Sequence, residues 1–170
     1  MSSSLVGSEM CIRDSVYAER LGMTNTNFIN SSGWPDDNHY STVYDLGILS
    51  NAIIRDFPNL YTYFKMEEFT YNDITQPNRN KLLYQVQGAD GLKTGFTKES
   101  GWGIAATALR NDRRITVVIN GTNSSRSRLN ESSNLINWAF NQTSQQTLVE
   151  KDQFIKEVDV WLGSESLSLI

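Results

Sequence analysis

The sequence predicts an α+β fold: helices first, then an antiparallel meander of strands, then a long helix that packs back on the sheet. Three observations carry that expectation. Apolar residues recur at helical spacing over 42–55 and again over 125–141. Two short apolar runs flank the polar turn Arg110–Arg114, a hairpin signal. No strand–helix–strand alternation runs through the chain.

Taken in order, Val16–Met23 reads as the end of a helix, with Gly22 at a C-cap where positive φ suits glycine. A polar, turn-rich stretch follows from Thr24 to Tyr40, punctuated by Gly33, Pro35 and Asp36-Asp37. Ser41 or Thr42 then caps a helix reaching about Arg55. Asp45, three residues after Thr42, gives a capping-box variant, and Leu46, Leu49 and Ile53 supply its core-facing stripe. Phe57-Pro58 ends that helix and starts a short aromatic one, Asn59 to Phe64. Glu68–Tyr71 has strand composition, and Ile74–Asn80, with Pro77, reads as loop. A turn at Asp90-Gly91 launches a strand through Lys93-Thr94-Gly95. Ile104–Leu109 and Ile115–Ile119 form the hairpin, and a last helix runs from Ser125 to about Asn141. β-like pieces around Val158–Leu162 close the chain, and the four tryptophans are read as packing groups.

Three regions follow. Leu5–Ser15, LVGSEMCIRDS, back-translates into DNA that looks like the end of a transposon-based sequencing adapter. Residues 1–15 are therefore expected to be adapter-derived and to lie outside the fold, the gene continuing upstream of Val16. Residues 16–144 are read as the main unit and 145–170 as a tail.

Composition removes several function classes. Hydrophobic residues make up 39% of the 170, enough for a core. The net charge is −4 and the 15 basic residues are dispersed, which argues against nucleic acid, whose binding needs a clustered basic stripe. No apolar run approaches the roughly 18 residues that span a bilayer, and no signal peptide is visible. One histidine, His39, and one cysteine, Cys11, cannot build a metal cluster, so neither metal nor cofactor is expected. His39 reads as a loop residue.

The chemistry-bearing stretch is GADGLKTGFTKESGWGIAATA, residues 88–108. Lys93-Thr94 is not a phosphate loop, because Leu92 stands where such a loop needs glycine before its lysine. The tripeptide alone is weak evidence, and its surroundings add the weight. LGMTNTNFINSSG (21–33), YSTVYDLGILSNAIIRDFP (40–58), EEFTYNDITQPNRNKLL (67–83), the Lys93 stretch and ESSNLINWAF (131–140) follow one another in a family's order. Together they resemble the low-molecular-mass penicillin-binding proteins, the D-alanyl-D-alanine carboxypeptidases of serine peptidase family S11. The resemblance implies the C-terminal part of a β-lactamase/transpeptidase-like domain over 16–144, the truncated start of a small C-terminal β-rich domain over 145–170, and an activity. A serine attacks the peptide carbonyl between two D-alanines, the last one leaves, and water hydrolyses the acyl-enzyme.

What the resemblance implies for individual residues is as follows. Lys93 supplies a fixed positive charge near the substrate carboxylate, and Thr94 hydrogen-bonds that carboxylate. Gly95 lets the ligand approach the backbone. The amide of Phe96 is an oxyanion donor. Arg128 is a second carboxylate anchor, whereas Arg79 is weighted toward bracing its loop. The partners implied are the peptidoglycan pentapeptide and, as inhibitors, β-lactam antibiotics. The location implied for the full-length protein is the periplasm, at the inner membrane, with an amphipathic anchor expected only in a missing C-terminus. No serine in the chain has a lysine three positions later, and Ser132-Ser133-Asn134 lies inside a predicted helix, after Lys93. The nucleophile, its lysine and the second serine element are therefore expected upstream of Val16, and the chain as written is expected to be inactive. A non-catalytic penicillin-binding module and a serine β-lactamase relative stand as the alternatives.

Overall fold

The structure is a computed structural model that describes residues 3–150, 152–159 and 166–169. Its centre is a three-stranded antiparallel sheet in the order β3 (Ala89–Thr97), β4 (Gly101–Arg110), β5 (Arg113–Thr122). β4 and β5 turn over at Asn111-Asp112, both at positive φ (49° and 60°), a conformation Asn and Asp tolerate in tight hairpins. Helix α5 (Ser125–Gln142) packs across one face of the sheet, starting from Ser124, whose side chain accepts from the Ser127 amide. Every second residue of β4, Ile104, Ala106 and Ala108, faces that helix and is buried with Leu82, Val86 and Ile136. Thr107, between them in sequence, is fully buried on the opposite face, where Tyr61 meets it.

That opposite face is covered by α2 (Val43–Asp56), by the short α3 (Pro58–Tyr61) and by a 3-10 turn over Thr62–Lys65. Thr42 caps α2, accepting from the Asp45 amide at 3.1 Å. The capping box does not close, however. Asp45 turns its carboxylate outward from the helix to the Asn25 amide (2.9 Å) and the Thr26 hydroxyl (2.6 Å), pinning the preceding loop. Leu46, Leu49 and Ile53 are half-buried, and the fully buried positions of α2 are Asp45, Ser50 and Ala52. A small residue lets the helix lie close to the sheet, where Asn51 accepts from Thr116 of β5.

Two sequence expectations need correcting. Ile74–Pro77 is not loop but strand β2, paired antiparallel with β1 (Glu68–Tyr71). Asn72 and Asp73, at φ 47° and 61°, make the two-residue turn between them, and Pro77 sits at the ladder's end opposite Glu68, where a missing N–H is tolerated. Likewise, Asp90-Gly91 lies inside β3 at a bulge rather than at a turn. The reversal is made by Gly88, at φ 75°, whose carbonyl accepts from the Leu109 amide. A Cβ there would stand 2.3 Å from the Leu109 carbonyl oxygen.

At the front, α1 runs from Ser3 to Arg20 and therefore crosses residue 15 without a break, with Cys11 and Ala18 buried. Gly22 follows at φ 83°, in the C-cap conformation its position predicts. Helix α4 (Leu82–Gln85), unforeseen in the sequence, seats Leu82 in the core. In the tail β6 (Lys156–Asp159) pairs antiparallel with β7 (Ser166–Leu169), and the expected strand residues Val160, Trp161 and Leu162 lie outside the described residues. Among the described residues no helix is long and apolar enough to cross a membrane.

Candidate functional site: the edge strand and its cationic cavity

β3 pairs with β4 on one side only, so its other edge offers unpaired backbone to an added strand. The start of that edge is braced. Asp90 accepts a bidentate pair from Arg114, at 2.7 and 2.8 Å, and further hydrogen bonds from Tyr61 and Thr107, both 2.8 Å. Next door, buried Asn80 donates to the Gly91 carbonyl at 2.9 Å. Burial alone would raise the Asp90 carboxyl, but the hydrogen bonds donated by Arg114, Thr107 and Tyr61 outweigh it and hold the group below its ordinary value. Burial also pushes the Tyr61 phenol up to about 12, so it stays a donor. The Arg114 guanidinium is raised, mainly by its hydrogen bonds to Asp90. Gly91 is required here, because a Cβ would lie 2.6 Å from the Tyr61 hydroxyl.

Four residues further along the strand the surroundings change. Lys93, Thr94, Gly95 and Phe96 line a cavity of about 610 Å³ between the β3 edge and the start of α5. Arg128, on the first turns of α5, enters it from behind and is only 6% exposed. Its guanidinium lies 5.3 Å from the Trp102 ring, and Trp102 stacks on Phe96 with centroids 4.4 Å apart. Its hydrogen bonds are long ones, to the carbonyls of Gly95 (3.4 Å) and Gly103 (3.5 Å) and the Ser125 hydroxyl (3.4 Å). No carboxylate pairs with it, since the ion pairs among the described residues are Arg55–Asp56 and Arg114–Asp90. Burial pulls its guanidinium below its ordinary value, yet arginine stays charged at any pH a folded protein meets.

Lys93 folds its ammonium back onto the Thr94 carbonyl, and nothing among the described residues bonds to the Thr94 hydroxyl. A Cβ on Gly95 would meet nothing within 4 Å, so the glycine leaves open space at the cavity wall. Chemically, this is a site for an anionic group: a desolvated guanidinium, an ammonium, a hydroxyl and an open strand edge, all converging from one side.

The structure thus brings Lys93, Thr94, Gly95, Phe96 and Arg128 together, and two sequence readings change around them. Arg79 does not brace its loop. Asn78 and Asn80 make the loop's hydrogen bonds, and the Arg79 side chain lines the cavity. Trp102 is part of the cavity wall, whereas Trp34 and Trp138 are exposed and pack little. Lys81 also lines the cavity and carried no signal in the sequence beyond its place two residues after Arg79. Ser132-Ser133-Asn134 lies within α5, where both serines bond back to helix carbonyls.

An antiparallel sheet between helices is the partial α+β, transpeptidase-like arrangement that this chain shares with solved penicillin-binding proteins. Residues 13–123 match Peptidase_S11, the D-alanyl-D-alanine carboxypeptidase family, and the chain belongs to that family. It is 38% identical to D-alanyl-D-alanine carboxypeptidase DacC of Escherichia coli over 88% of this chain and 38% of that one. Penicillin-binding protein 5 of Haemophilus influenzae superposes with a TM-score of 0.87 at 32% identity, over 95% of this chain and 48% of that chain. Penicillin-binding protein D2 of Listeria monocytogenes, solved in a cefotaxime-bound form, superposes at 0.73 with 29% identity, over 78% of this chain and 56% of that one. The chain thus spans between two fifths and somewhat over half the length of these relatives.

Proposed function

We propose that this chain is the substrate-gripping part of a serine-type D-alanyl-D-alanine carboxypeptidase that trims peptidoglycan stem peptides at the periplasmic face of the inner membrane. The observation that carries the reading is Arg128, a buried cation with no ion-pair partner among the described residues, beside an unpaired strand edge. A guanidinium kept out of water is costly unless an anion joins it, and a peptide's terminal carboxylate supplies that anion while its backbone adds to β3.

In this arrangement Arg128, Thr94 and Lys93 hold the carboxylate of the terminal D-alanine. The Phe96 amide stands where charge grows on the attacked carbonyl. The attacking serine forms the acyl bond as D-alanine leaves, and water then releases the shortened peptide. The 170 residues contain no Ser-x-x-Lys, so the chain binds without acylating. β-Lactams carry a carboxylate beside their reactive amide and fit the same grip non-covalently.

Calorimetry with diacetyl-L-Lys-D-Ala-D-Ala tests this. Binding that weakens at least about tenfold in Arg128→Met, a loss of ~1.4 kcal/mol, is the expected result, with no covalent labelling by a fluorescent penicillin. Equal affinity for the peptide amide, which lacks the terminal charge, would refute the reading.

A further inference from the structure

The cavity holds more positive charge than one carboxylate needs. Arg79, Lys81, Lys93 and Arg128 all line it, and no acidic side chain does. None of the four forms an ion pair among the described residues. Arg128 is buried, while Lys81 is exposed and stands at the start of α4. Lys93 is already engaged with the Thr94 carbonyl. One ligand carboxylate at Arg128 and Thr94 leaves the Arg79 and Lys81 wall with nothing of opposite sign.

We propose that Arg79 and Lys81 form a second oxyanion subsite, so that the cavity takes a terminal carboxylate together with a further negative group. That group is either on the same ligand or a free phosphate-like ion. The inference rests on the reading above for which end of the peptide enters the cavity. Its chemistry is simple: like charges gathered into one concave wall raise the local potential for anions, and each added anion relieves repulsion among the rest. Because Lys81 is solvent-exposed, the contribution is modest and fades with salt.

The test is an amide-shift NMR titration of the full chain with inorganic phosphate at low ionic strength, with and without saturating diacetyl-L-Lys-D-Ala-D-Ala. Lys81→Ala is compared with Lys98→Ala, which removes the same charge from the turn after β3, outside this cavity. Expected are shifts at residues 79–81, phosphate affinity about two- to fivefold weaker in Lys81→Ala only, and phosphate binding that persists with peptide bound. A peptide ending in D-Glu identifies the source of the second anion. Preference for it over D-Ala, lost in Lys81→Ala, places that anion on the ligand, and no preference with phosphate co-binding makes it a free ion. Equal losses in both lysine variants, no loss in Lys81→Ala, or complete displacement of phosphate by peptide would each overturn the proposal. Should the peptide fail to bind while phosphate still depends on Lys81, the carboxypeptidase reading falls and the subsite stands.

Discussion

The two ends of β3 hold their arginines in opposite ways. At the start of the strand Arg114 has a bidentate carboxylate, and Asp90 in turn is saturated by Tyr61 and Thr107. Around Gly95, Arg128 is more deeply buried yet has only long contacts to carbonyls and a hydroxyl. A closed network fixes geometry and has nothing left for a ligand. An open one is a deficit that a ligand fills. The same strand therefore carries its own anchor and its own binding site, five residues apart.

The sharpest way to break this contrast is to remove one partner at each end. Asp90→Ala strands the Arg114 guanidinium and the two hydroxyls, at an expected cost of about 2–3 kcal/mol, less than for a fully buried pair because both partners keep some solvent contact. Arg128→Met removes an uncompensated charge and leaves stability unchanged or higher. Urea unfolding of the two variants checks both, and a loss at Arg128 equal to that at Asp90 would erase the distinction.

A finer comparison uses the strand's two glycines. Gly91→Ala drives a methyl into the Tyr61 hydroxyl and is expected to cost about 1–3 kcal/mol of stability. Gly95→Ala meets no protein atom, so thermal unfolding stays within about 0.5 kcal/mol while peptide binding in calorimetry declines.

The smallest effect is the pH dependence of the anchor. The Asp90 carboxyl is depressed in the folded state, so its contribution is full above the ordinary carboxylate range and is lost as pH falls through the depressed value. Tyr61 is raised from 10.0 to about 12, so its contribution is full below 10 and disappears between there and about 12. Urea midpoints across pH read both flanks, and in Asp90→Asn the acid flank should flatten.

Much of the architecture was legible in the sequence because local signals and tertiary packing agree there. The Thr42 cap, the hairpin at Asn111-Asp112, and α5 beginning at Ser125 all sit where side-chain chemistry puts them. The hairpin of β1 and β2 was half missed because Pro77 suggested a loop, although Asn72-Asp73 is itself a turn signal. Asp45 showed the opposite failure. Its spacing indicates a capping box, and only the folded loop at Asn25 and Thr26 reveals what the carboxylate grips. Within the site, Lys93, Thr94 and Arg128 were named through a family likeness. The wall made by Arg79 and Lys81, from the loop before α4, and by Trp102 of β4 joins two segments distant in sequence, and no one-dimensional pattern links them.

The Lys93 ammonium is curled onto its neighbour's carbonyl, so the cavity already contains an internal competitor for it. A ligand that recruits this amine trades one contact for another, so that step releases little heat. Selectivity among ligands therefore falls to Arg128, whose weak attachments are surrendered cheaply.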